Sequence, residues 1–181
     1  MSDSGPNDPV RKSPFWRFSI KFYGVPCVAQ ACIDLQDQAN VDVNILFFLL
    51  WNATQGRTYN KADVAEVERQ IGAWREMAVV PIRNVRRALK SPPPVLTPDA
   101  AESLRTRVKA VELEAERLQQ EALYDLAQSS RLGRPAPSPA QAARKSVEAY
   151  QAVLGPMPAA PLDIVLSAFA KFDSPATDSG E

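Results

Sequence analysis

Apolar residues recur along most of this chain at the three-and-four spacing of amphipathic helices, and one stretch departs from that pattern by having almost no polar side. From Asp42 to Gly56 the order Val43-Asn44-Ile45-Leu46-Phe47-Phe48-Leu49-Leu50-Trp51-Asn52-Ala53-Thr54-Gln55 reads as a helix opened by an Asp42 cap and stopped by Gly56 in the left-handed C′ position. Such a helix must be wrapped by the rest of the domain. Its apolar run, Val43 to Trp51, is roughly half of what a bilayer needs, so a buried helix is expected and a membrane span is not.

The flanking pattern supplies the wrapping. Ser13-Pro14 reads as a cap with proline in the first turn, opening a short helix to Tyr23 with Phe15, Phe18 and Phe22 on one face. Gly24 breaks it and Pro26 restarts a second helix to about Gln38, with Val28, Cys32 and Leu35 inward. Asn60 caps a longer region in which Val64, Val67, Ile71, Trp74, Ala78, Ile82, Val85 and Leu89 recur at helical spacing. Gly72 weakens that region and Pro81 removes a backbone hydrogen bond, which predicts a kink or break near Met77 to Pro81, or two shorter helices. Ser91-Pro92-Pro93-Pro94 ends it.

From about Pro98 to Ser129, Leu104, Val108, Val111, Ala115, Leu118 and Ala122 form a narrow apolar seam between charged residues. That helix is expected to lie across the domain or in an antiparallel pair, the alternative being an intermolecular coiled coil. Arg131 to Pro139 reads as a proline-rich spacer, followed by helices over about 140–154 and 162–172. No strand pattern and no internal repeat competes, so the fold class is all-α: a compact orthogonal or bundle-like domain around the helix at about 42–55. The organisation read from the sequence is a tail over 1–13, a helical core over 14–129, a linker over 130–140, a C-terminal helical extension over 141–172 and a disordered tail over 173–181.

Composition narrows the chemistry more than the fold. The 181 residues carry 21 basic and 21 acidic side chains, a balance that does not favour nucleic acid or a membrane surface as partner. There is no histidine, which removes histidine-activated nucleophiles and every imidazole metal site. Cys27 and Cys32 fall about 140° apart on a helix, so they neither pair easily nor form a metal cage. No signal-peptide pattern opens the sequence, and a cytoplasmic location is expected. Neither a cofactor nor a metal is expected, and no catalytic residue stands out.

Three groups of side chains remain as candidates. On the central helix Asn44, Phe48, Asn52 and Gln55 share one stripe, and buried amides need partners; they either line a polar pocket or cross-link neighbouring helices. With Asp37, Asp42, Trp74, Arg75 and Arg83 they compose a candidate ligand site based on carboxylate, arginine and amide groups. Arg75 is expected to pair with an acidic residue near the second helix. The grouped Asp34, Asp37 and Asp42 could hold Mg²⁺ against a diphosphate, or cap helices and form a buried ion pair. Arg83, Arg86, Arg87 and Lys90 form a basic stripe that either serves the helix C-terminus or takes an anion such as a phosphorylated ligand, RNA backbone or an acidic partner. Leu162, Val165, Leu166, Phe169 and Phe172 form the apolar side of the last helix, free to dock on this domain or on a partner protein.

Taken together, Phe15-Trp16-x-Phe18-Ser19-x-x-Phe22-Tyr23, Cys32-x-x-Leu35-Gln36-Asp37, Asp42-Val43-Asn44-x-Leu46-x-Phe48-Leu49-x-Trp51, Gln55-Gly56, Trp74-Arg75 and Val80-Pro81-Ile82-Arg83 resemble a bacterial family of small all-helical proteins catalogued as a conserved domain of unknown function. The resemblance covers about residues 14–125. It implies a helical fold and cytoplasmic placement, and brings no activity, cofactor or catalytic residue with it. The function expected from the sequence is therefore a non-enzymatic helical protein working through protein–protein contact, of undetermined oligomeric state. The alternative is a small-ligand binder, or a histidine-independent enzyme, with its pocket beside the central helix.

Overall fold

In the computed structural model, which describes residues 13–172, helix α3 (Val43–Thr54) is buried at every position from Asn44 to Ala53. Around it stand α1 (Pro14–Tyr23), α2 (Val28–Ala39), α4 (Lys61–Trp74), α5 (Val80–Ala88), α6 (Pro98–Ser129), α7 (Pro139–Leu154) and α8 (Ala159–Phe172). The fold is all-α, as its periodicities require. Of the tails expected over 1–13 and 173–181, Ser13 is a buried part of the fold as the cap of α1, and the rest lies outside the described residues.

α3 is held by α1, α2, α6 and α7, while α8 lies on α2, and α4 packs on α7. Aromatic rings fill the junctions: Phe15 meets Phe48 edge-on at 5.9 Å, Phe22 meets Phe47 at 5.2 Å, and Tyr59 meets Phe48 at 5.4 Å. Burying each large apolar side chain of α3 stabilises the fold by about 1.5–3 kcal/mol.

Most helix ends follow the residues that announce them. Ser13 Oγ accepts from the Trp16 amide at 3.1 Å, Asn60 and Asp63 form a reciprocal capping box, and Gly56 takes the left-handed φ of 70° after α3. Two junctions differ from expectation. Cys27 is left-handed at φ 69°, so Pro26 stands in the turn and α2 begins at Val28. The irregularity expected near Met77 to Pro81 is present and separates two α-helices, but it is a π turn and not a chain break. A π-helical turn, Arg75–Val79, joins α4 to α5, with the Val80 amide donating five residues back to the Arg75 carbonyl. The proline follows at once, and the widened π turn accommodates a residue that has no amide to donate.

The segment read as a plain spacer is tied down by a two-residue antiparallel ladder absent from the helical reading, pairing Arg57 with Pro135 and Thr58 with Arg134. Gly133, at φ 76°, makes this approach possible, since a Cβ there would sit 2.9 Å from the Tyr59 ring. Beyond the ladder, α7 and α8 belong to the same hydrophobic cluster as α1–α4, with Val147, Tyr150, Leu162, Val165 and Phe169 all buried in it. The last helix thus docks on its own domain: Phe172 edges onto Phe18 at 5.7 Å and Phe22 at 5.5 Å, and Leu166 is half-buried against the cluster.

The largest departure from the sequence pattern is the rotation of α6. Its apolar seam faces outward in part, with Leu104, Val111 and Leu118 exposed by 38%, 56% and 43%. The face turned to the domain carries Glu112, Ala115, Gln119, Gln120, Leu123 and Leu126. A polar face is buried here because polar partners on α3 and α5 meet it.

Candidate functional site

Asp42 is where those polar partners begin. As N-cap of α3 it accepts from the Asn44 amide at 2.9 Å and the Ile45 amide at 3.4 Å through Oδ1. Its Oδ2 takes Arg75 Nη1 at 3.1 Å and Gln119 Nε2 at 2.6 Å. Its own amide donates to Tyr150 Oη at 3.0 Å. Burial works against the Arg75 charge, and Asp42 with Glu68, the latter at 2.8 Å, more than offsets it, leaving the guanidinium pKa raised. Burial, with Asp42 beside it, pushes the Tyr150 hydroxyl well above its ordinary range.

A carboxylate accepts and never donates, so Asp42 orients every amide beyond it. Gln119 must present Nε2 to Asp42, which turns its Oε1 towards Asn44 Nδ2 at 3.4 Å. Asn44 is left with its Oδ1, which accepts from Gln120 Nε2 at 2.7 Å. Gln120 Oε1 then ends the relay, shielded from solvent and without a hydrogen-bond partner. Such an orphaned acceptor costs about 1–3 kcal/mol.

Gln120 lines a groove of about 640 Å³ between α1, α2, α3, α5 and α6, well within the size range of small-molecule sites. Ser19 lines it too, and its Oγ is likewise buried without a partner. The third such atom among the described residues, Glu68 Oε1, belongs to the Arg75 pair and lies outside the groove. The apolar wall is formed by Trp16, Ile20, Tyr23, Ile33, Val43, Phe47 and Leu113. Across from it, Arg83 Nε reaches Glu112 at 3.1 Å, Arg83 Nη2 reaches Glu116 at 2.7 Å, Arg86 clasps Glu112 through two nitrogens, and Arg87 meets Asp37 at 2.6 Å. Lys90 and Lys109 stand exposed at the rim with no ion pair among the described residues.

The site chemistry is set by burial. Burial raises the Glu116 carboxyl above its usual value despite the Arg83 charge, and raises the Tyr23 hydroxyl. Cys32 also lines the groove, but burial pushes its thiol up to about 12, so it stays protonated and unreactive at neutral pH.

The residues singled out from sequence separate into distinct environments. Asp37, Asn44, Arg83, Arg86, Arg87 and Lys90 all line the groove, so the ligand and anion candidates share one site. Asp42 and Arg75 lie behind it as the anchor of the relay, and Arg75 finds its expected carboxylate there. Asn52 takes no part: its Nδ2 donates to the Phe48 carbonyl at 2.9 Å and its Oδ1 accepts from Tyr59 Oη at 3.1 Å, in the core. Gln55 bonds Thr54 outside the groove, and Trp74 Nε1 donates to the Ala115 carbonyl at 3.1 Å. The three aspartates do not converge on a cation, because Asp34 pairs with Gln30, Asp37 with Arg87 and Asp42 with Arg75. The basic stripe is no open anion face either, since three of its members are engaged by carboxylates. Leu162, Val165 and Phe169 are covered by the protein itself. Sequence reasoning missed Ser19, Gln120, Glu112, Glu116 and Lys109. The signal for Glu112 and Glu116 was their spacing of four on one helix face, where they meet Arg83 and Arg86.

These features define an all-helical protein with one hydrophobic core and a charge-lined groove beside its central helix. The chain belongs to the DUF2390 family of proteins of unknown function, whose family model matches residues 14–123. That span holds every groove residue and ends before α7. The comparisons with curated proteins and with solved structures give no match.

The raised pKa of Glu116 carries a stability consequence. A carboxyl that protonates more readily folded than unfolded adds stability that is fully present below its usual value of 4.5 and fades as pH rises through the raised folded value. Urea unfolding across that window is expected to show wild type losing stability with rising pH relative to Glu116→Gln. Parallel profiles for the two proteins would contradict this placement of Glu116.

Proposed function

We propose that this protein binds a small ligand in the groove between α1, α2, α3, α5 and α6. The observation that carries the reading is that two residues lining the same groove, Ser19 and Gln120, each hold a buried polar atom without a partner, Oγ and Oε1. Buried polar groups in folded proteins are nearly always satisfied, so two exceptions at one concavity mark where a partner is missing. The family match supports the same place, because it includes all of the groove and none of α7 or α8. We also propose a cytoplasmic location, as the family resemblance in the sequence implies.

The test is a thermal-shift screen of metabolite-sized compounds on wild type and on Ile33→Trp, which fills the groove from its exposed wall. Compounds that bind there raise the wild-type unfolding free energy by about 2.7 kcal/mol at a hundredfold excess over Kd, and leave Ile33→Trp unmoved. Hits that stabilise both proteins equally would count against the groove.

A second reading, contact between two copies of this chain through α6, is favoured by the exposed seam. Leu104 and Leu118 each lie seven residues from Val111, two helical turns away, so an antiparallel twofold at Val111 sets each leucine on the partner copy's other leucine. An adjoining apolar groove of about 310 Å³, lined by Ile82, Val85, Leu104, Val108 and Val111, extends this face. Sedimentation velocity should then show a dimer that Val111→Lys converts to monomer; a monomer at all concentrations for the wild type removes this reading.

A further inference from the structure

The groove has a chemical polarity that narrows what it takes, granted that it is a ligand site. Five cations line it, Arg83, Arg86, Arg87, Lys90 and Lys109, against three carboxylates, Asp37, Glu112 and Glu116. Every carboxylate is committed to an arginine. The two lysines have no ion pair among the described residues, and both stand on the α5 and α6 side of the opening. A cationic ligand would therefore meet unpaired ammonium groups and find its natural partners taken. A fully apolar ligand would gain nothing from the charged rim.

From this we infer that the groove takes an anionic amphiphile: a small molecule whose apolar ring or short chain lies against Trp16, Ile20, Val43 and Phe47 and whose acidic group reaches Lys90 and Lys109. The wall supplies most of the affinity through apolar burial, and the rim selects the sign of the charge. Because the lysines are exposed, they add a modest, salt-sensitive increment rather than a deep electrostatic well.

Two fluorescent probes with one scaffold separate these contributions. 1-Anilinonaphthalene-8-sulfonate carries an acidic group, and N-phenyl-1-naphthylamine is the same body without it. Titrated against the full-length protein, the sulfonate is expected to bind saturably and more tightly than the neutral amine. The double variant Lys90→Gln, Lys109→Gln should weaken the sulfonate by about three- to tenfold and leave the amine unchanged. Equal affinity of the two probes for wild type, or indifference of the sulfonate to the lysine changes, would overturn the anionic class while leaving a binding groove standing. If instead neither probe binds, or both bind Ile33→Trp as well as wild type, the groove itself is not the site. Circular dichroism and the melting transition of each variant establish that it is folded before its titration is read.

Discussion

Asp42 is the residue on which four parts of this structure depend at once. Its carboxylate caps α3, neutralises Arg75 in the π-helical turn and orders the amides of α6, while its backbone amide fixes Tyr150 of α7. Each contact alone is ordinary; capping contributes about 0.5–2 kcal/mol. Their concentration on one buried group is what matters, because removing one partner of a buried ion pair typically costs about 3–5 kcal/mol. The most apolar helix of the protein is therefore seated by a polar residue at its entrance.

The same residue explains why α6 shows the domain a polar face and solvent an apolar one. An amphipathic helix normally buries its seam, here Leu104, Val108, Val111 and Leu118. Turning Gln119 to Asp42, Gln120 to Asn44, and Glu112 and Glu116 to Arg83 and Arg86 gives hydrogen-bond partners to the polar and charged groups that α3 and α5 turn towards α6. The groove lies between this polar face of α6 and the residues of α1 and α2 that line its other side. Its unpartnered Gln120 Oε1 is the far end of an order that Asp42 imposes.

How much of this was legible in the chain depended on whether a feature was local. The caps at Ser13, Asp42 and Asn60, the stop at Gly56 and the buried central helix follow from adjacent residues, and all are present. Arg75 as partner of a carboxylate near α2 was readable because a buried arginine has few alternatives. What the sequence concealed was set by distant partners. Periodicity turned α6 by its apolar residues, whereas buried charges on other helices turned it by its polar ones. Asn44 and Asn52 share a stripe eight residues apart, yet one meets the glutamines of α6 and the other Tyr59, since only one end of α3 faces the groove. Pro81 announced an irregularity, but its form was hidden because a π turn leaves no mark in hydrophobic spacing. Ser19 was hidden among phenylalanines on α1, where nothing local distinguishes a packed hydroxyl from one awaiting a partner.

The central claim is that Asp42 controls Gln120 through Gln119 and Asn44, with no contact between the two ends. A double-mutant cycle on unfolding free energy, with Asp42→Asn and Gln120→Leu singly and together, tests it most directly. Asparagine can keep the cap through Oδ1, but it then presents an Nδ2 donor to Gln119 where the carboxylate presented an acceptor, which reverses the order of the relay. The account predicts a coupling of about 0.5–3 kcal/mol between the two changes, as for residues within one hydrogen-bonded network. Strict additivity, the behaviour of independent sites, would contradict it.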